Sequence, residues 1–148
     1  MEGINLILRK AEQLDCETIS KIERSLVRSS EITNLINLGR ILILEAGNGE
    51  MIGLLRFNLF WDDIPFLNSL YVRPECENNG YEAKMIDLWE TQLKEEGYVT
   101  FITSTVSDSP LQTILINLGY KAVGGFCSTE NCYEIILKKE VDEPVRSY

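Results

Sequence analysis

The segment from Tyr71 to Glu90 carries the residues whose types and spacing point most directly to chemistry. It reads YVRPECENNGYEAKMIDLWE, which predicts the end of a strand, a tight loop and the start of an amphipathic helix. The unpaired amides and the positive dipole end of such a helix suit a bound anion, such as a phosphate group. Three carboxylates, Glu75, Glu77 and Glu82, lie in the same segment, and their charge opposes that use.

The chain offers few side chains for acid–base or nucleophilic catalysis. It contains no histidine, which removes the commonest general base and every Ser–His or Cys–His pair. The weak candidates near the loop are the hydroxyl groups of Ser69 and Tyr71, and packing is the favoured alternative for Tyr71. We interpret Asp62 and Asp63 as a solvated turn, with selection of an amine at the mouth of a site as the alternative.

The four cysteines, Cys16, Cys76, Cys127 and Cys132, include no CxxC pair. Without histidine, these spacings match no usual zinc site, so we predict no metal centre. Free thiols are typical of a reducing compartment, and we expect the protein to be cytoplasmic. A Cys127–Cys132 bridge across a turn is the alternative.

Length and composition describe an ordinary globular chain. Its 148 residues predict a single domain, spanning 1–148, that can bury a core without covalent staples. Hydrophobic residues make up 45% and charged residues 25%, and no apolar run reaches the roughly 18 residues of a membrane helix. The net charge of −9 opposes binding to nucleic acid and to anionic membrane surfaces. We therefore expect neither a nucleic-acid nor a membrane partner.

Apolar periodicity and turn residues predict the order β-α-α-β-β-β-α-β-α-β-β, an α/β fold with a mixed sheet and helices on both faces. The predicted strands are Ile4–Leu8, Ile41–Ala46, Met51–Trp61, Ile64–Val72, Val99–Val106, Tyr120–Phe126 and Cys132–Lys138. The first two predicted helices are about Glu12–Leu26 and Glu31–Leu38. The third has Tyr81, Met85, Trp89 and Leu93 on one face. The fourth has Ser109 as its N-cap, Pro110 as its first residue and Gly119 after its end. We predict core packing for Trp61 and Trp89, and a loose tail over about 139–148.

This order, with the residues at its junctions, resembles the GNAT superfamily of acyl-CoA-dependent N-acyltransferases. The similar fragments are Ile7–Ala11 followed by Asp15, then Ile52–Leu54, Leu70–Glu75 and Asn117–Tyr120. Each fragment is weak alone, but their order and spacing cover nearly the whole chain. The resemblance implies a central mixed, mostly antiparallel sheet of about seven strands with helices on both faces.

The resemblance also implies where acetyl-CoA, the co-substrate, binds. The fourth strand is expected to separate from the fifth, leaving a V-shaped opening in which its backbone pairs with the pantetheine arm. The amides of the following loop are expected to hold the pyrophosphate. The implied cofactor-binding residues are Leu70, Tyr71, Val72, Asn78, Asn79, Gly80 and Tyr81. Only Gly80 is retained from the family's Arg/Gln-x-x-Gly-x-Gly/Ala loop, because Glu77 and Glu82 occupy two of the other patterned positions.

The family's catalytic side chains are not retained. The tyrosine that protonates the departing thiolate in many members corresponds to Leu115, and the region of the usual base reads Asn68-Ser69. Two functions therefore stay open. One is an N-acetyltransferase that moves an acetyl or small acyl group to a primary amine of a small molecule or peptide by direct attack. The other is a degenerate, non-catalytic binding or regulatory module. A third interpretation, an assembly protein that pairs through its last strands, for example as a homodimer, is compatible with either.

Overall fold

Seven β-strands and four α-helices are formed by the residues that a computed structural model describes, which are 5–23, 28–128 and 131–141. The strands are β1 (Leu6–Lys10), β2 (Ile41–Ala46), β3 (Met51–Phe60), β4 (Ile64–Val72), β5 (Thr100–Val106), β6 (Lys121–Cys127) and β7 (Tyr133–Glu140). The helices are α1 (Cys16–Ile22), α2 (Ser29–Asn37), α3 (Tyr81–Glu95) and α4 (Pro110–Asn117). Their order confirms the predicted order of elements.

The strands form one mixed sheet in the order β1-β2-β3-β4-β5-β7-β6. β1 and β2 pair antiparallel, as do β2 and β3, β5 and β7, and β6 and β7, whereas β4 and β5 are parallel. The parallel pair follows from connectivity, because α3 joins these two strands and a helical crossover returns the chain in the same direction. The predicted mixed, mostly antiparallel sheet is confirmed.

The first predicted helix, Glu12–Leu26, has the wrong start. Gln13–Asp15 forms a 3₁₀ turn, and α1 begins only after it. The Asp15 carboxylate accepts the Glu12 backbone N–H at 2.7 Å and the two terminal guanidinium nitrogens of Arg9 at 2.9 and 3.0 Å. These contacts stabilise a separate turn ahead of the helix. The predicted end of this helix lies outside the described residues.

The first and the last strand of the chain also differ from their predicted bounds. β1 continues to Lys10, because its ladder with β2 extends to the pair Lys10↔Leu42, while Ile4 lies outside the described residues. β7 continues to Glu140, so Lys139 and Glu140 belong to a strand and not to the predicted tail. Both residues are held by the ladder with β5. Residues 142–148 of that tail lie outside the described part of the chain.

Backbone contacts divide the chain into two compact units, of which the first contains Met1–Phe57 and Ser69–Tyr81. Its core is a cluster of side chains from α1, α2, β2, β3 and the β1–α1 connection. The members are Ala11, Ile19, Ile32, Ile36, Ile41, Ile43 and Leu54. Gly39 follows α2 with φ of +71°, the left-handed conformation that glycine adopts after a helix end.

The second unit contains Asn58–Asn68 and Glu82–Tyr148. The predicted apolar face of α3 is buried at Met85, Ile86, Trp89 and Leu93. The Trp89 ring meets the Phe101 ring of β5 edge-on, with centroids 5.3 Å apart. The Ser109 hydroxyl caps α4 by accepting the backbone N–H two residues later at 3.3 Å, which confirms the predicted N-cap.

A buried carboxylate in the second unit is fully engaged by its neighbours. Glu90 of α3 accepts hydrogen bonds from the Tyr120 hydroxyl at 2.9 Å and from the Lys139 ammonium group at 2.7 Å. Burial, reinforced by the Glu90 charge and hydrogen bond, raises the pKa of Tyr120 well above its usual range. The arrangement keeps Tyr120 neutral and supplies partners for a charge that is costly to bury alone.

The Arg9–Asp15 pair predicts a pH-dependent stability. Hydrogen bonds from Arg9 hold the pKa of Asp15 below its usual value. A carboxyl group whose pKa falls on folding contributes stability above its unfolded pKa of about 3.9, and loses it as the pH falls through the folded pKa. We expect Asp15→Asn to lower the free energy of unfolding by about 1–2 kcal/mol at pH 7, and this difference to shrink below about pH 4.

Urea unfolding between pH 2.5 and 7 measures this difference, with Glu17→Gln as the matched control. Glu17 pairs with Lys21 at 3.3 Å, but their side chains are 83% and 74% exposed, so its removal should change stability by less than about 0.5 kcal/mol. If the free energy of unfolding of Asp15→Asn stayed below that of the wild type by the same amount down to the lowest pH, the Asp15 charge would not be the cause of the lost stability.

Candidate functional site

The parallel ladder between β4 and β5 is short. Its register contains two pairs, Phe66↔Ile102 and Leu67↔Thr103. The Thr103 hydroxyl adds a hydrogen bond to the Leu67 carbonyl at 2.9 Å. The ladder therefore ends before Leu70, and the strands are not hydrogen-bonded along their full length. This incomplete pairing is what the predicted separation of the two strands requires.

The last residues of β4 include the predicted cofactor-strand positions and both catalytic candidates. Leu70 and Tyr71 are half-buried and Val72 is buried. Tyr71 packs against the aliphatic cluster of the first unit, which agrees with the packing role favoured for it. Ser69, two positions earlier, is also half-buried. The structure thus places the two candidate hydroxyl groups in one stretch of strand.

The loop after β4 turns the chain into α3 with two left-handed residues. Pro74–Cys76 forms a 3₁₀ turn, after which Asn78 and Gly80 have φ of +64° and +76°. The Asn79 amide donates to the carbonyls of residues 76 and 77 at 2.9 and 3.0 Å, which fixes the loop between them. α3 begins at Tyr81, so the first-turn amides have no acceptor within the helix.

The backbone at Gly80 is open to an approaching group. A Cβ built at this position would meet no atom within 4 Å among the described residues. Space of this kind beside a helix N-terminus lets a ligand come close to the backbone amides. The predicted loop residues Asn78, Asn79, Gly80 and Tyr81 are therefore brought together in one accessible turn.

The charges near this turn are mostly negative. Arg73 is held by Glu50 and Glu75, with nitrogen–oxygen distances of 3.1 and 3.4 Å, and it donates to the Met51 carbonyl at 3.0 Å. Its charge is therefore shared with carboxylates of the same unit. Glu77 is exposed in the loop, and Glu82, half-buried, lies in the first turn of α3.

The last helix supplies no acid in the position that the family pattern assigns. Leu115 is fully buried in α4, with 0% of its surface exposed. The nearby Tyr120 uses its hydroxyl to bind Glu90, and its raised pKa makes it a poor proton donor. A substituted tyrosine at 115 would need space that a closely packed interior does not offer.

A large apolar cavity in the second unit was not predicted from the sequence. It has a volume of about 490 Å³ and is lined by Asn58, Leu59, Phe60, Phe66, Asn68, Phe126 and Ile136. The prediction of core packing is confirmed for Trp89, which is 0% exposed, and wrong for Trp61, which is 79% exposed. The available signal was the run of aromatic residues on both sides of the Asp62-Asp63 turn.

In the described part of the chain, His, Cys, Asp and Glu side chains form no group of three or more that could hold a metal ion. Cys16, Cys76 and Cys127 are free thiols. None of the described helices is long and apolar enough to cross a membrane.

Comparison with protein families gives one match that spans most of the chain. Residues 10–115 match the Acetyltransferase (GNAT) family. No curated protein is similar enough in sequence to count as a match.

Several solved structures have the same fold. A GNAT-family acetyltransferase from Bacillus cereus is 22% identical with a TM-score of 0.74, over 94% of this chain and 99% of that one. The yncA protein of Salmonella typhimurium, solved with its cofactor acetyl-CoA, is 16% identical with a TM-score of 0.75, over 97% and 98%. A chain of the NatC complex bound to Gag peptide and CoA is 9% identical with a TM-score of 0.76, over 94% and 100%.

The packing of Tyr71 predicts that its ring, not its hydroxyl, matters for stability. We expect Tyr71→Ala to lower the free energy of unfolding by about 2 kcal/mol, because a half-buried ring leaves the aliphatic cluster. Tyr71→Phe keeps the ring and serves as the matched control, with a change below about 0.5 kcal/mol. Urea unfolding at pH 7 measures both, and equal losses in the two variants would show that the hydroxyl group is structural.

Proposed function

Because this chain belongs to the acetyltransferase (GNAT) family, we propose that it transfers an acetyl group, or another small acyl group, from acyl-CoA to a primary amine. The family acts on amines in general, and the amine of a small molecule or of a peptide is the proposed acceptor. We also propose that the protein works in the cytoplasm, where free thiols such as those of Cys16 and Cys76 persist.

The observation that carries this proposal is the turn between β4 and α3. Two left-handed residues, Asn78 and Gly80, lead directly into the helix, and the space over Gly80 is open. Successive amides in such a turn form a concave site that favours phosphate oxygens. The positive end of the helix dipole adds to this preference. We assign the pyrophosphate to the amides of residues 78–81.

We assign the pantetheine arm to the backbone of Leu70, Tyr71 and Val72. These residues follow the point where the ladder between β4 and β5 stops, so the ladder with β5 uses none of their N–H and C=O groups. A strand with such groups can pair with an extended ligand through main-chain hydrogen bonds.

The bound acyl-CoA supplies a thioester, which is already reactive toward amines. The protein's own contribution is then mainly to hold the two reactants in place, an effect that can supply a large share of a rate enhancement. Ser69 and Tyr71 are the weak candidates for proton transfer. Since Leu115 cannot donate a proton, water or one of these two hydroxyl groups takes this role, or the amine's own proton passes to the sulfur.

A non-catalytic binding module is the second candidate. It is favoured by the acidic loop, in which Arg73 is engaged by Glu50 and Glu75. A carboxylate such as Glu77 about 6 Å from a phosphate would cost roughly 1–3 kcal/mol at effective dielectric constants between water and protein surface. The module would keep the turn and its amides but bind acyl-CoA weakly and transfer nothing.

Calorimetric titration with acetyl-CoA, together with an assay for released CoA thiol, tests both candidates. We expect the double variant Glu77→Arg, Glu82→Gly to bind acetyl-CoA about tenfold more tightly than the wild type. Arginine can fork onto phosphate oxygens, and glycine removes bulk from the first helical turn. The gain should shrink in high salt, because screening weakens the charge contribution.

The matched control is Glu96→Arg. It makes the same glutamate-to-arginine change as Glu77→Arg, but at an exposed residue just after the C-terminal end of α3. It should leave the affinity unchanged if the effect is local. Wild-type affinity already in the low micromolar range would contradict the premise that the loop is weakened. An unchanged affinity in a folded double variant, with no thiol release, would favour the non-catalytic module.

A further inference from the structure

The apolar cavity of the second unit lies outside the residues assigned to acyl-CoA. Its volume of about 490 Å³ falls in the range of pockets that hold small organic ligands. Five of its seven lining residues are apolar, and the other two, Asn58 and Asn68, are neutral amides. None of the described residues that line it is charged, so an anionic ligand would find no counter-charge among them. The lining fits an apolar body with one hydrogen-bonding group.

The wall of this cavity is aromatic and partly exposed. The Phe60 ring lies 4.7 Å from the Trp61 ring and 6.4 Å from the Phe66 ring, measured between centroids. Phe60 is 43%, Phe126 48% and Trp61 79% exposed. Large aromatic side chains grouped in contact with water commonly mark a binding surface. Their flat faces favour another aromatic ring by offset or edge-to-face stacking.

The turn that presents Trp61 is strained. Trp61 and Asp62 have φ of +54° and +59°, a left-handed conformation that is unfavourable for a bulky side chain. Glycine or asparagine would relieve the strain at this hairpin. Strain of this kind persists where the surrounding structure enforces it, and it is concentrated at functional sites.

A second cavity, of about 400 Å³, shares Phe60, Phe66 and Ile136 with the first and adds Trp61 to its wall. It also contains Lys138 and Glu140, which pair with each other at 3.1 Å. The two cavities with shared walls are called the aromatic groove below. The exposed carboxylates Asp62 and Asp63 lie in the turn beside it and favour the approach of a cation.

We propose that the aromatic groove binds the aromatic body of a primary amine, and that this amine is the acyl acceptor. This assignment rests on the proposed acyl transfer and specifies the acceptor as a primary amine that carries an aromatic ring. The amide oxygens of Asn58 and Asn68 are the groups that can accept the amine N–H. Asn68 also precedes Leu70 by two positions in the chain.

The reaction in the groove is a group transfer without oxidation or reduction. The amine nitrogen forms a bond to the acyl carbon, and the carbon–sulfur bond of the thioester breaks. The proton lost by nitrogen ends on the CoA sulfur, directly or through water. The products are the N-acylated amine and CoA with a free thiol.

The test compares 2-phenylethylamine with propylamine, two primary alkylamines that differ in the aromatic ring. With acetyl-CoA as donor, we expect kcat/KM for the phenyl compound to be about tenfold higher or more, because the ring leaves water on binding. Phe126→Ser should reduce this ratio severalfold. Ile116→Ser is the matched control: Ile116 is 52% exposed and belongs to neither cavity, so the ratio should stay at the wild-type value.

A binding measurement separates this proposal from the proposed function. Titration with 2-phenylethylamine alone should change the tryptophan fluorescence, and Trp61→Phe should remove the change because Trp89 is buried. Binding without thiol release would support the groove as an aromatic amine site and overturn transfer. Thiol release with equal kcat/KM for both amines would uphold transfer and overturn the groove. No fluorescence change and no preference for the phenyl compound would also overturn it.

Discussion

The early end of the ladder between β4 and β5 is the constraint on which the rest of the site depends. Backbone N–H and C=O groups need partners, and a full ladder would have used those of Leu70 to Val72 within the sheet. The ladder instead stops at Leu67↔Thr103. The chain then turns through Pro74–Cys76 and two left-handed residues into α3. Backbone groups at the end of β4 are therefore left outside the ladder with β5, and the turn after them presents the amides of the helix start.

Electrostatics in this turn depend on the backbone more than on side chains. Arg73 is neutralised by Glu50 and Glu75, while Glu77 and Glu82 add negative charge. The backbone amides and the helix dipole still attract an anion there, and no side-chain substitution removes them. In the last helix, the position to which the resemblance assigns an acid is the buried Leu115.

Elements with strong local signals were predictable. Ser109 marks a helix start by the hydrogen bond that its hydroxyl accepts, and Gly39 marks a helix end by its left-handed conformation. The apolar run of β2 follows from burial on both faces. The predicted bounds failed where distant contacts decided them. The first helix begins later than predicted because Asp15, bound by Arg9 of β1, belongs to a separate turn ahead of it. Lys139 is strand because β5 supplies the ladder.

The sequence by itself determined the order of elements, the family and the position of the turn before α3, because periodicity, caps and glycines act within a few residues. It also determined that no histidine takes part in catalysis. Only the tertiary structure decided that Arg73 is engaged, that Tyr120 binds Glu90, and that Trp61 faces water. The aromatic groove joins residues from five strands, β3 to β7. Such contacts depend on how strands pair and pack, and local sequence patterns do not encode that pairing.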